Sequence, residues 1–153
     1  MDRTRVPATV ALVIVAGALG GCAAEAGMGL PTLTPGDRDT VLVQAPRGTA
    51  SVTGALSVAG NGCFHWAQPG SPADGAWVVW PDDARQDGAE VVLDGGDRIG
   101  DGDGVRGEGG IVMLDDLPEG AEEQSYFGSF GRFCNADERG VLVLVTVAAQ
   151  NEP

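Results

Sequence analysis

The sequence predicts an all-β domain, a small closed or nearly closed barrel, with a flattened β-sandwich as the alternative. Three observations carry that expectation. No stretch after residue 36 keeps a 3.6-residue apolar period for a useful length; short runs rich in Val, Trp and Phe alternate instead with Gly, Pro and Asp. Glycine supplies 25 of the 153 residues, which favours tight turns over helices. The run Val141-Leu142-Val143-Leu144-Val145-Thr146-Val147 is apolar on both faces, as a central or barrel strand requires.

Taken in order, the strands are expected at 40–45, 50–59, 62–67, 76–80, 90–93, 104–106, 110–114, 127–134 and 141–148. Asn61-Gly62 reads as a tight hairpin turn between the second and third runs. Pro81 closes the run that holds Trp77 and Trp80, and 82–88 reads as a turn or short loop. Another turn is expected at 135–140, ahead of the last strand, and 118–124 has room for one helical turn. Many short strands separated by turns suit a barrel, whose closure also hides sheet edges. Residues 37–150 are the expected extent of this single β-domain, a usual size for one core.

The chain carries a formal net charge of −13 and contains Arg but no Lys. Beyond residue 21, 7 Arg stand against 21 acids. Such a field repels phosphate backbones, so nucleic acid is excluded as a partner class, and it repels anionic lipid head groups as well. Between residues 74 and 123 there are 15 acids and 3 Arg, so one side of the domain is expected to be strongly negative.

The N-terminus is built differently. Arg3 and Arg5 precede an apolar run at 6–19, followed by Gly20, Gly21 and Cys22. About 14 apolar residues are too few to cross a bilayer core of ~30 Å as a helix. The segment Leu19-Gly20-Gly21-Cys22 resembles the lipobox of bacterial lipoproteins: Leu, a small residue, Gly or Ala, then Cys. The resemblance implies that residues 1–21 are a signal peptide. It further implies that the Cys22 thiol receives diacylglycerol and that cleavage falls between Gly21 and Cys22. A thiolate is the nucleophile such a transfer needs, and two acyl chains hold a protein stably at a membrane. The implied address is the extracytoplasmic face of the cell membrane. Residues 22–36, rich in Ala, Gly, Pro and Thr, then read as the lipidated N-terminus and a flexible tether.

With Cys22 taken by lipid, Cys63 and Cys134 remain, and outside a membrane two such thiols are expected to pair as a disulfide. The composition, and the segments Gly62-Cys63-Phe64, Val79-Trp80-Pro81 and Gly107-Glu108-Gly109-Gly110, are similar to a pattern of small actinobacterial lipoproteins. That resemblance covers roughly residues 54–110 and implies a barrel of the oligonucleotide/oligosaccharide-binding (OB-like) type.

Candidate chemistry is sparse. The stretch 94–110 is half glycine over its last sixteen positions and carries Asp97, Asp101, Asp103 and Glu108, oxygen ligands of the kind a Ca²⁺ ion takes. It departs from an EF-hand loop, with Ile99 where an oxygen is needed, and two consecutive Gly-Asp turns are the competing reading. Trp66, Trp77 and Trp80 have faces that stack on sugars or apolar ligands, unless they fill the core. His65 is the only histidine, and none of the serines sits in a nucleophile elbow, so no catalytic residue is assigned. The adjacent acids Asp82-Asp83, Asp115-Asp116 and Glu122-Glu123 point apart and cannot flank one glycosidic bond. The functional expectation is therefore a non-enzymatic binding domain, tethered to the membrane, that recognises an envelope protein or a small ligand. A calcium- or other cation-binding module, and a carbohydrate-binding or carbohydrate-acting domain, are the alternatives.

Overall fold

A computed structural model describes residues 29–150. The elements run in the order α1 (Pro35–Leu42), β1 (Ala50–Val58), β2 (Phe64–Ala67), β3 (Trp77–Val79), β4 (Arg85–Asp87), β5 (Glu90–Val92), β6 (Arg98–Ile99), β7 (Gly104–Val112), α2 (Tyr126–Phe133), α3 (Ala136–Arg139) and β8 (Val141–Ala149). A single 3-10 turn, Leu114–Asp116, lies between β7 and α2.

Five strands close a barrel in the order β1-β2-β3-β8-β7, and β4-β5-β6 form a separate small sheet. All barrel contacts are antiparallel except β3 with β8, which run parallel with Trp77 opposite Val141 and Val79 opposite Val143. Counting barrel strands alone, the order is first, second, third, fifth, fourth, closing back onto the first. This is the OB-like closure, and it bears out the barrel over the sandwich. The first hairpin is also where the sequence places it: Gly62 adopts φ +87°, and its N–H donates to the Ala59 carbonyl at 2.8 Å.

Two apolar cores lie on opposite sides of the barrel wall. Leu56, Phe64, Trp66, Val78, Trp80, Val105, Leu142 and Leu144 come from all five strands and fill the interior, where Val91 and Ile99 of the small sheet join them. Trp77, Val79, Val141 and Val143 point outward and are covered by Val41 of α1, Leu114, and Phe127 and Phe130 of α2. The disulfide Cys63–Cys134, with a Cα–Cα distance of 5.6 Å, sits in this outer core and ties the β1–β2 hairpin to the end of α2.

Several local expectations are corrected. Residues 40–45 are the end of α1 and a turn, not a strand. Thr34 caps this helix by accepting from Asp37 N at 3.2 Å, Pro35 opens it, and Val41 is its buried anchor. Residues 127–134 form α2 rather than a strand. The aromatic run reads as β by propensity, but Ser125 Oγ accepts from Gly128 N at 2.9 Å and starts a helix. Its glycines are packing residues: a Cβ on Gly131 would stand 2.3 Å from Leu114 Cδ1, and one on Gly128 would stand 1.8 Å from the Glu122 carbonyl. Residues 135–140 hold the short α3, entered through Asn135 at φ 58°, in place of a hairpin turn. The helical turn expected within 118–124 falls instead at Leu114–Asp116. The expected strands 104–106 and 110–114 are one strand, β7, with a bulge at Glu108/Gly109, and β4 lies where a loop was expected.

The domain also starts earlier than residue 37. Trp80 N donates to the Pro31 carbonyl at 2.8 Å, Thr32 bridges Trp80, and Leu33 is buried in the outer core. The last part of the expected tether is therefore packed structure.

Two outcomes follow. Replacing both Cys63 and Cys134 by Ala removes a link across 71 positions and lowers stability by about 2–4 kcal/mol in urea unfolding. Gly131→Ala, which drives Cβ into Leu114, costs about 1–3 kcal/mol by the same measurement.

Candidate functional site

Gly21 and Cys22, the cleavage and lipidation residues read from the sequence, lie outside the described residues. The other sequence candidates are all placed.

The acidic loop folds as two turns. Leu93 N donates to the Asp97 carbonyl at 2.9 Å in the first. In the second, Asp103 Oδ2 accepts from Gly100 N at 2.7 Å. Asp101 Oδ1 accepts from Val58 N at 2.8 Å and so ties the loop to the end of β1. Glu108 lies farther on, on β7, with its N–H on Thr146 Oγ1 at 3.1 Å. Asp97, Asp101, Asp103 and Glu108 thus do not converge, and among the described residues no three His, Cys, Asp or Glu side chains are grouped to hold a metal ion. Short Asp side chains between glycines cap free backbone N–H groups, and that is the work Asp101 and Asp103 do. Arg98 clasps both Asp87 and Glu90 across the small sheet, and these hydrogen bonds raise its pKa above the ordinary guanidinium value.

The three tryptophans correct a second expectation. Trp66, Trp77 and Trp80 are at most 1% exposed. Trp80 meets Phe64 edge-on inside the barrel, and Trp77 meets Phe130 edge-on under the helices. Their faces are taken by the core, so they present no stacking platform.

His65 is half-buried on β2. Its Nε2–H donates to the Cys134 carbonyl at 2.9 Å, beside the disulfide, which is a structural use of the ring. A shallow recess of about 320 Å³ opens beside it, with Asp74, Asn135 and Arg139 in its lining. Asp74 Oδ1 accepts from Gln68 N at 2.9 Å and holds the β2–β3 connection.

Sequence reasoning missed a larger concavity than this recess. A cleft of about 460 Å³ opens where β1 leaves β2, and its lining is mostly apolar. Val52 and Ile111 form one side, Gln68, Pro72 and Ala73 the other, and among the described residues Arg47 is the only charged side chain on it. These residues come from the α1–β1 connection, two barrel strands and the β2–β3 connection, so no local motif marks them. The volume falls in the range of small-ligand sites, and an apolar wall with one placed charge is the usual composition of such sites.

Asp101→Ala, which leaves Val58 N without its partner, is expected to lower the melting temperature, a loss of about 1 kcal/mol, and millimolar calcium should not shift the melting of the parent chain. A comparison with protein families, curated proteins and solved structures finds no match to this chain, so the reading of the cleft rests on its own geometry.

Proposed function

We propose that this chain is an extracytoplasmic lipoprotein whose barrel is a non-enzymatic binding module held close to a membrane. One observation supports the address above others: Cys63 and Cys134 are bonded to each other, which leaves Cys22, in its lipobox-like setting, as the remaining thiol. A buried cystine also suits an oxidising compartment. The domain begins packing near Leu30, so seven residues separate it from Cys22. At ~3.3–3.6 Å per residue they reach no farther than about 25 Å, which would keep the barrel at the membrane surface. The field of the acidic domain would turn it away from anionic head groups and toward the aqueous side.

The binding half of the reading is supported by the apolar cleft and its single cation. Neither the carbohydrate nor the calcium alternative gains from the geometry, because the tryptophans are sealed and the loop carboxylates are dispersed.

Intact mass and fractionation test the address. The mature chain is expected to begin at Cys22 with a diacylglyceryl adduct and to sediment with membranes, and Cys22→Ser is expected to release it. A Cys22→Ser protein that stays membrane-bound, or a native chain with its leader intact, would overturn the proposal. A mature domain that retains neither envelope proteins nor small ligands would overturn its binding half.

A further inference from the structure

We infer that the cleft receives an extended peptide, which adds as an antiparallel strand to the free edge of β1 with its C-terminal carboxylate at Arg47. The inference deepens the binding reading above and rests on it, but not on the lipid anchor.

The edge is defined by which way each backbone group points. β1 pairs with β7 from Ala50 to Ala55, and with β2 only from Ala55 to Val58. Leu56 N donates to the Asp103 carbonyl at 3.0 Å, and the Leu56 carbonyl accepts from Gly102 N at 2.8 Å, so Leu56 addresses the β7 side. Alternation along an antiparallel strand then turns Ala50, Val52 and Gly54 the same way. It turns the N–H and C=O of Ser51 and Thr53 the other way, toward the β2 side.

On that side β2 has already ended. Gln68 N bends to Asp74 Oδ1, and the chain leaves through the turns at 68–75. Among the described residues no strand pairs with Ser51 or Thr53 along this edge, and no other hydrogen bond reaches their main chain. The cleft is the gap so created, with Ser51 and Val52 on one wall and Gln68, Ser71 and Pro72 on the other.

This geometry favours a strand over a compact apolar molecule. A small ligand filling the gap would cover the Ser51 main chain, which lines it, without pairing it, at the cost of desolvated polar groups. A peptide main chain pairs with Ser51 and runs on along the same edge past Thr53, in the manner of strand addition at sheet edges. Residues directly opposite share a face, so the one facing Val52 would enter the apolar cleft, and those facing Ser51 and Thr53 would meet solvent. The peptide thus alternates apolar and polar.

Charge sets its direction. Arg47 stands just before β1, and an antiparallel addition brings the peptide's C-terminal end beside the start of β1. Arg47 makes no ion pair among the described residues, in a chain of net charge −13. A single terminal carboxylate satisfies it, whereas a highly acidic peptide would be repelled by the rest of the domain.

The test uses the ¹⁵N-labelled mature chain carrying Cys22→Ser and a set of short free-acid peptides with Val, Leu or Phe at alternate positions and Thr between. Saturable amide shifts at Ser51 and Thr53 are expected, with hydrogen exchange there slowed at least about tenfold. Amidation of the peptide C-terminus, or Arg47→Glu with its fold checked by amide spectra, should each weaken binding roughly tenfold. Peptides N-methylated on the β1-facing amides should not bind. Unchanged exchange at Ser51 and Thr53, or binding indifferent to N-methylation, overturns the inference. Anilinonaphthalene sulfonate separates the two levels of failure. Dye that saturates the cleft while the peptides do not bind overturns the strand but keeps a ligand-binding barrel; a cleft that takes neither counts against both.

Discussion

Strand β8 offers apolar side chains to both sides of the barrel wall, and the architecture is the answer to that demand. Leu142 and Leu144 face inward, Val141 and Val143 face outward, and all four are fully buried. A sheet covered on one side only would leave two of them in water, at about 1.5–3 kcal/mol for each side chain. Closure of the barrel buries the inner pair, and α1, α2 and the 3-10 turn between β7 and α2 bury the outer pair. Strand β3 is constrained in the same way, with Trp77 and Val79 outside and Val78 inside, followed by Trp80, also inside. Two doubly buried strands lie side by side as the parallel pair of the barrel, as strands covered on both faces commonly do.

Much of this was legible in the sequence because period and punctuation are local. The unbroken apolar run of β8 announced a strand buried on both faces, Asn61-Gly62 announced the first hairpin, and elimination among three cysteines announced the disulfide. The helices were not legible. Tyr126–Phe133 mixes aromatics, which favour strands, with two glycines, which disfavour helices, and only the contacts with Leu114 and Glu122 show why glycine is needed there. Residues 30–36 looked like spacer because a short segment around Leu33 shows no period, yet it packs beside β3.

The candidate site was far less legible. Residue types that usually signal chemistry, three tryptophans and a run of acids, are absorbed by the core and by turn capping. The cleft is instead made by a difference in strand length, β2 stopping while β1 continues, and its walls are Val, Ile, Pro, Ala and Ser drawn from separate parts of the chain. Nothing in such residues distinguishes them from ordinary barrel filling until the register of β1 is known.

The parallel pairing of β3 with β8 also orders events in time. Trp77–Val79 meets its neighbour only when Val141–Val143 is present, and Cys63 meets its own partner only at Cys134. A chain made N-terminus first therefore holds β1, β2 and β3 as an open ribbon until Val141–Val143 is available. Both closures span more than sixty positions, so the barrel seals only once β8 and Cys134 are present, and a chain truncated before α2 has neither the strand nor the sulfur needed to complete it.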